Sequence, residues 1–391
     1  MKIAAVHPYL GVRAGAAGAF IDMMSSLKKR GHQIDLYCFG ANDAVRDGLL
    51  NEFPLYVEGT AELHSDLFLA KPFLIYLNNW RLHSASKRLA LKINKQDYDI
   101  AFVDHNVYTP MLMPYLQIPR ANYCYEPPRL VYEPSIIFGH ETGLLQLMNL
   151  PLKYIDRHFT KFADLVLCNS NYVRSYIKKA YGIDAVTNYL AVDTEKYRPV
   201  EVPKENMVLC VGVIQPFKAQ DFLIRSIGLI PESKRPRVVI ITSGLIHDLW
   251  YRDLLIDLSR RLKVRLEIKE KYIEHEEFLR LHSQARVVAI PYIREPSIEP
   301  VALACGTPIV AVNEGGVPEA VIDKETGLLT RRNEAEFAAA IEYLLDHPGI
   351  GENMGRAGRQ WVMDNFTWEQ CAANLESNLL NLIERCSRRP G

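Results

Sequence analysis

The chain has 391 residues, 48% of them hydrophobic and 24% charged, which at roughly 150 residues per domain predicts two or three globular domains and excludes a disordered protein. Lysine plus arginine and aspartate plus glutamate both total 46, for a formal net charge of zero. The broad basic footprint of a dedicated nucleic-acid binder is therefore absent.

Strand, glycine loop, helix and strand open the chain: KIAAVHPYL, GVRAGAAG, AFIDMMSSLKKR ending at Gly31, and HQIDLYCF. Basic residues in the helix's last turn and a glycine just past it fit dipole and capping rules. The first apolar run is broken by His7 and Pro8 and is too short for a signal peptide. LFLAKPFLIYL, from Leu67, contains a lysine and a proline and falls short of the roughly 20 residues a membrane helix requires. YDIAFVDH (98–105) and ADLVLCNS (163–170) are further strand-length runs, and together these segments predict a parallel sheet buried on both faces.

After the less periodic stretch AVDTEKYRPVEVPKE (191–205), a second alternating series begins at Met207. MVLCVGVI, RVVIITSG, VRLEIKEK, ARVVAIPY, TPIVAV and TGLLT read as strands separated by helical segments. The expected architecture is α/β, with two doubly wound domains in tandem and a ligand cleft between them. Seven cysteines stand singly at 38, 124, 168, 210, 305, 371 and 386. An odd number without a C-x-x-C pair is the pattern of buried thiols in a reducing cytoplasm.

Several segments could carry chemistry. Gly11–Gly18 follows a strand and opens a helix, where backbone N–H groups can receive an anion or a sugar hydroxyl; its G-x-x-x-G-x-x-G spacing is not the dinucleotide fingerprint. A nicotinamide or flavin enzyme would carry such a cofactor, and none is expected here. Asp97-Tyr98-Asp99 resembles a metal-holding D-x-D but precedes its strand, whereas ligands gather at carboxyl ends. Asp104 and His105 close that same strand at its carboxyl end, where a site residue belongs. The richest segment is AIPYIREPSIEPVALACGTPIVAVNEGGVPEAVIDKETGLL (289–329). There Glu295 and Glu299 fall in the loop between a strand and a helix that starts near Pro300 and stops at Gly306.

This last segment is similar to the donor-binding signature of the retaining glycosyltransferases of family 4: REPFG-x-x-P-x-EA-x-ACG-x-P-V-V-A, then GG-x-x-E, then G-x-TG-x-L. VGVIQPFKAQDFLIRSI resembles the first strand, loop and helix of the family's donor domain, LAVDTEKYRP its hinge, FTWEQCAANLESNLL its last helix, and YCYEPPR a C-H-E-P-P-R string of some members. The resemblance implies the GT-B fold, two Rossmann-like doubly wound domains facing across a cleft. An N-terminal acceptor domain would span 1–195 and a nucleotide-sugar donor domain 196–365, with a helix over 366–391 returning to the first domain. It implies retaining transfer of a sugar from a nucleoside diphosphate sugar to a hydroxyl on a glycan, lipid-linked or small-molecule acceptor, with no metal or other cofactor and no nucleic-acid partner. Lys218 and N–H groups of Ser297, Ile298, Glu299 and Val301 would hold the diphosphate, and Glu295 the donor sugar. Tyr272 and Ile273 would meet the nucleobase, and His105 the sugar or acceptor. Gly11, Arg13, Gly15, Gly18, Tyr125 and Glu126 would line the acceptor side.

Four positions depart from the family pattern. Val301 stands where the second glutamate belongs, in a loop two residues shorter that lacks the F-G pair; Val213 replaces an arginine, Ala219 a glycine and Tyr125 a histidine. The charge missing at Val213 falls to Arg294 or Arg13, and Glu299 is the available substitute for the second glutamate. These departures leave a second reading, a catalytically degenerate protein that binds nucleotide sugars or acts as a scaffold. Basic residues on N-terminal helices (Lys28, Lys29, Arg30, Lys87, Arg88, Lys92, Lys95, Lys153, Arg157 and Lys161) beside apolar faces would suit contact with the inner face of an anionic membrane.

Overall fold

The computed structural model describes residues 1–11, 15–59, 72–138, 143–242, 248–296 and 300–388. The chain divides into two compact units. The first holds Met1–Pro134, Thr142–Tyr189 and Trp368–Gly391, the second Ser135–Glu141 and Leu190–Thr367.

In the first unit the strands are β1 (Lys2–Leu10), β2 (Gln33–Ala41), β3 (Leu55–Val57), β4 (Ile100–Asp104), β5 (Arg120–Cys124), β6 (Leu165–Cys168) and β7 (Val186–Thr187). They form one parallel sheet in the order β3-β2-β1-β4-β5-β6-β7. The second unit contributes β8 (Glu205–Val211), β9 (Arg237–Ile241), β10 (Leu266–Lys269), β11 (Ala285–Ile290), β12 (Ile309–Val312) and β13 (Gly327–Thr330). Its parallel order is β10-β9-β8-β11-β12-β13. Helices cover both faces, so central strands read as unbroken apolar runs: Ile3, Ala4, Ala5 and Val6 of β1 and Ile100, Ala101, Phe102 and Val103 of β4 are fully buried. Pro8 is tolerated in β1 because pairing with β4 stops at Val6, and the β2 register passes from His7 to Tyr9 without it.

The expected strands are found, and three further ones join them. β5 carries Arg120 and the buried Asn122 inside its run, and β3 and β7 are too short to show periodicity. The strand expected to reach Tyr292 ends at Ile290, which turns Tyr292 toward β8. Asp99 sits at the amino edge, as its place in the sequence implied. Its carboxylate accepts from the N–H of Lys2 at 2.7 Å, and its own N–H donates to the Lys2 carbonyl at 2.9 Å.

The helix Trp368–Ser387 belongs to the first unit. Its apolar stripe of Cys371, Ala372, Leu375, Leu379 and Leu382 is buried, and Glu376 meets Arg30 Nε at 2.9 Å and His32 Nε2 at 2.7 Å. Each fully buried leucine contributes about 1.5–3 kcal/mol, against at most about 1 kcal/mol for an ion pair with an exposed partner. The stripe therefore holds the helix and the charges set its register. All seven cysteines are free, and burial pushes the thiols of Cys38, Cys210, Cys305 and Cys371 up to about 12. Among the described residues no helix is long and apolar enough to cross a membrane.

The helix Pro348–Asn365 backs the segment that ends at Gly306, because Gly355 lets the two backbones touch. A Cβ on Gly355 would stand 2.1 Å from the Gly306 carbonyl oxygen, whereas one on Gly349 meets nothing within 4 Å. Gly355→Ala is expected to destabilise the protein by about 1–3 kcal/mol, and Gly349→Ala to be neutral or slightly stabilising. Paired thermal melts of the two variants check this.

Candidate active site

In an open parallel sheet, ligands bind at the carboxyl ends of the two neighbouring strands whose connections leave in opposite directions. In the second unit these strands are β8 and β11. After β8 the chain passes Gly212 and Val213 into a single turn, Pro216–Lys218, and then the helix Gln220–Leu229. Ala219 joins them in the left-handed region, with φ +46°, the conformation that glycine adopts at no steric cost. The amide of Gln220 donates to the Val213 carbonyl at 2.9 Å, and the N–H of Ile293 to the Phe217 carbonyl at 2.8 Å. The loop after β8 and the loop after β11 are thus stitched together.

The stitch brings Lys218 Nζ to 2.8 Å from Glu295 Oε2, with the two side chains 15% and 16% exposed. The ammonium lies over the ring of Tyr292, 4.3 Å from its centroid, and the Tyr292 hydroxyl donates to the Val211 carbonyl. Glu295 is placed by its backbone. Gly315 has φ +65°, and a Cβ there would fall 2.1 Å from the Glu295 carbonyl oxygen, which accepts from the N–H of Gly316 at 2.7 Å. The expected Lys218, Glu295 and EGG turn with Gly315 come together here; Tyr292, which acts through packing, was not singled out in the sequence.

Ser297, Ile298 and Glu299 lie outside the described residues. Val301 opens a helix of only four residues, Val301–Ala304. The helix expected from about Pro300 to Gly306 is thus a single turn, in which few peptide dipoles align. Among the described residues of this loop pair the fixed positive charges are Lys218, paired with Glu295, and Arg294. Tyr272, 75% exposed, and the half-buried Ile273 follow β10 at the same carboxyl edge, two strands from β8 and hence about 10 Å along the sheet.

In the first unit the corresponding strands are β1 and β4. Gly11 follows β1, and a Cβ there would meet the Tyr9 ring at 2.6 Å; Gly15 has φ +55° and starts the helix Gly15–Lys29, in which Gly18 is buried. Arg13 lies outside the described residues. The Tyr125 hydroxyl donates to the Ala16 carbonyl at 3.2 Å, which brings the loop after β5 to the glycine segment. Glu126 pairs with the buried Arg129 at 2.7 Å.

His105 does not meet the expectation of a sugar contact. Its side chain has no exposed surface and stands within 3.3 Å of the equally buried Asp156. Nδ1 accepts from the Asn122 amide at 2.9 Å, so Nε2 carries the proton and lies 3.1 Å from the Tyr181 hydroxyl. With both nitrogens committed, the ring braces β4 against β5 and the helix Asn171–Tyr181. The residue that sequence reading overlooked is His7, inside β1. Its Nε2 is 2.8 Å from Asp104 Oδ2, with side chains 5% and 2% exposed, and its Nδ1 accepts from the N–H of Tyr9 at 3.2 Å. Burial pushes the Asp104 carboxyl above the usual carboxylate range, and His7 opposes the shift. A histidine within an otherwise apolar strand was the available signal.

Residues 14–196 match the family described as Glycosyltransferase Family 4, and residues 192–361 match Glycosyl transferases group 1. A GDP-mannose-dependent alpha-(1-6)-phosphatidylinositol monomannoside mannosyltransferase from Mycolicibacterium smegmatis is 30% identical over 61% of this chain and 67% of its own length. A D-inositol 3-phosphate glycosyltransferase from Mycobacteroides abscessus is 36% identical over 48% of this chain and 42% of its own length. The chain belongs to the group 1 glycosyltransferases. A sucrose-phosphate synthase from Thermosynechococcus elongatus superposes with a TM-score of 0.77 at 18% identity, over 98% of this chain and 99% of the other. Anabaena HepE in complex with UDP gives 0.74 at 17% identity, over 97% and 100%. These likenesses show that this glycosyltransferase has the GT-B fold, with two Rossmann-like units.

In this transferase Gly315→Ala forces a methyl into the Glu295 carbonyl and strains a left-handed residue. The expected cost is about 2–4 kcal/mol, together with loss of sugar transfer as Glu295 is displaced. Melting temperature and turnover measured on one preparation test both effects.

Proposed function

We propose that this glycosyltransferase moves a sugar from a nucleoside diphosphate sugar to an acceptor hydroxyl, with retention at the anomeric carbon and without a metal. The observation that carries the reading is the Lys218–Glu295 pair at the carboxyl ends of β8 and β11. In the free protein each side chain neutralises the other. A donor would separate them, Lys218 turning to the diphosphate and Glu295 accepting hydrogen bonds from sugar hydroxyls.

The anomeric carbon–oxygen bond to the diphosphate breaks, a bond to the acceptor oxygen forms, and the acceptor's proton passes to the departing phosphate oxygen. The protein's task is to stabilise the charge that develops on that oxygen. Preorganised donors in a water-poor site do this at about 3–4 kcal/mol each. Arg294 or Arg13 would supply the charge missing at Val213, and Tyr272–Ile273 would offer backbone to the base. The glycine segment with Tyr125 would receive the acceptor, a glycan, a glycolipid or a small molecule. GDP-mannose and phosphatidylinositol monomannoside in one relative's name, and UDP in one structural neighbour, support this class of substrates.

A peripheral membrane contact fits the first unit. Leu147, Leu150 and Tyr154 are 65%, 55% and 70% exposed, on or beside a helix that also carries Lys153 and Arg157. Binding to vesicles containing phosphatidylglycerol but not to pure phosphatidylcholine, weakened by Tyr154→Ser with Leu150→Ser, is the expected result of a flotation assay.

A thermal-shift screen with UDP-glucose, GDP-mannose, ADP-glucose and their nucleotides, with and without EDTA, tests the main reading. One nucleotide sugar is expected to raise the melting temperature by preferring the folded state, with no change on adding EDTA. Lys218→Ala should abolish the shift and lower kcat by about 10²–10³-fold. No shift with any donor overturns the reading in favour of the degenerate protein, with Val301 at the second glutamate's position as the reason.

A further inference from the structure

The loop that carries Glu295 is two residues shorter than the family pattern and holds Arg294 at φ +46°. A non-glycine residue in that region costs about 1–2 kcal/mol and persists only where surrounding contacts hold it. The backbone leading into Arg294 is held by Arg332, just beyond the end of β13. Its guanidinium donates to the carbonyls of Pro291 at 2.9 Å and Tyr292 at 2.7 Å, two acceptors left open where β11 stops. It also grips Glu314 in a two-pronged pair, Nε to Oε1 at 2.9 Å and NH2 to Oε2 at 2.8 Å. Glu314 Oε2 lies 3.4 Å from the N–H of Arg294 and immediately precedes the Gly315–Gly316 turn that seats the Glu295 carbonyl. Every nitrogen of the guanidinium is used, the two side chains are 28% and 29% exposed, and the cation lies over the Phe222 ring, 5.6 Å from its centroid.

We infer that Arg332 and Glu314 are positioning residues for Glu295. They tie the segments after β11, β12 and β13 into one rigid seat, so that the shortened loop presents the Glu295 carboxylate to the donor sugar. The inference rests on the donor-site reading above. Neither residue touches the sugar; both act through the backbone of residues 291–296. The site requires arginine, because a lysine offers one point charge and cannot serve two carbonyls and both carboxylate oxygens in a plane.

The test is a double-mutant cycle on binding. Affinities for GDP, GDP-mannose, UDP and UDP-glucose are measured by calorimetry for wild type, Arg332→Lys, Glu295→Ala and the double variant. Arg332→Lys is expected to weaken the nucleotide sugar about tenfold or more, while leaving the bare nucleotide unchanged, which also reports an intact unit. In the Glu295→Ala background, Arg332→Lys should add nothing. Glu314→Gln repeats the measurement should Arg332→Lys fail to fold. Equal weakening of nucleotide and nucleotide sugar, independent additive losses, or no loss would each overturn the positioning role. Wild-type protein that binds none of the four probes would instead overturn the donor-site reading and this inference with it.

Discussion

Two adjacent parallel strands whose onward connections leave in opposite directions cannot have both loops folded over the same ground, so a crevice opens at their carboxyl ends. That constraint acts twice in this chain, between β1 and β4 and between β8 and β11. In each place it gathers polar side chains that would otherwise be stranded at the edge of an apolar sheet. In the first unit they are His7 and Asp104, and in the second Lys218 and Glu295.

Both pairs are largely shielded from water, and an unpaired buried charge costs several kcal/mol. Pairing offsets that cost while leaving the groups available for exchange. Lys218 and Glu295 retain some exposure, so a ligand with an anionic end and a hydroxylated end could take over both partners. His105 and Asp156 have none, and Asn122 and Tyr181 occupy the ring nitrogens. A basic side chain paired with a carboxylate can thus be open to a ligand in one place and sealed as a brace in another, and accessibility decides which.

Backbone conformation supplies the accuracy. Ala219 and Arg294 adopt left-handed conformations without being glycine, and Gly315 does so where no Cβ would fit. Each is held by neighbours from other strands: Ile293 bonded to Phe217, Gly316 to Glu295, and Arg332 to Pro291 and Tyr292. The strain sits beside the ion pair, as expected where geometry must be held within fractions of an ångström.

The alternation of apolar runs with helical segments, the glycine punctuation and the REP…ACG…EGG string were enough to read the two doubly wound units, the transferase family and the Lys218 and Glu295 positions. These depend on local periodicity and on short-range spacing, which a linear chain displays directly. β5 was obscured by Asn122, whose polarity makes sense only once His105 is beside it. The role of His105 itself could not be read, because a histidine at a strand's carboxyl end looks the same whether its nitrogens face solvent or Asp156. Arg332 lies 37 positions from Glu295 in the chain and is brought within hydrogen-bonding reach of its loop by the pairing of β11, β12 and β13. The sequence alone thus determined which elements form and which groups lie at their ends. Tertiary structure decided which groups are buried, paired or presented, because desolvation and hydrogen-bond partners arise only when segments distant in the chain pack together.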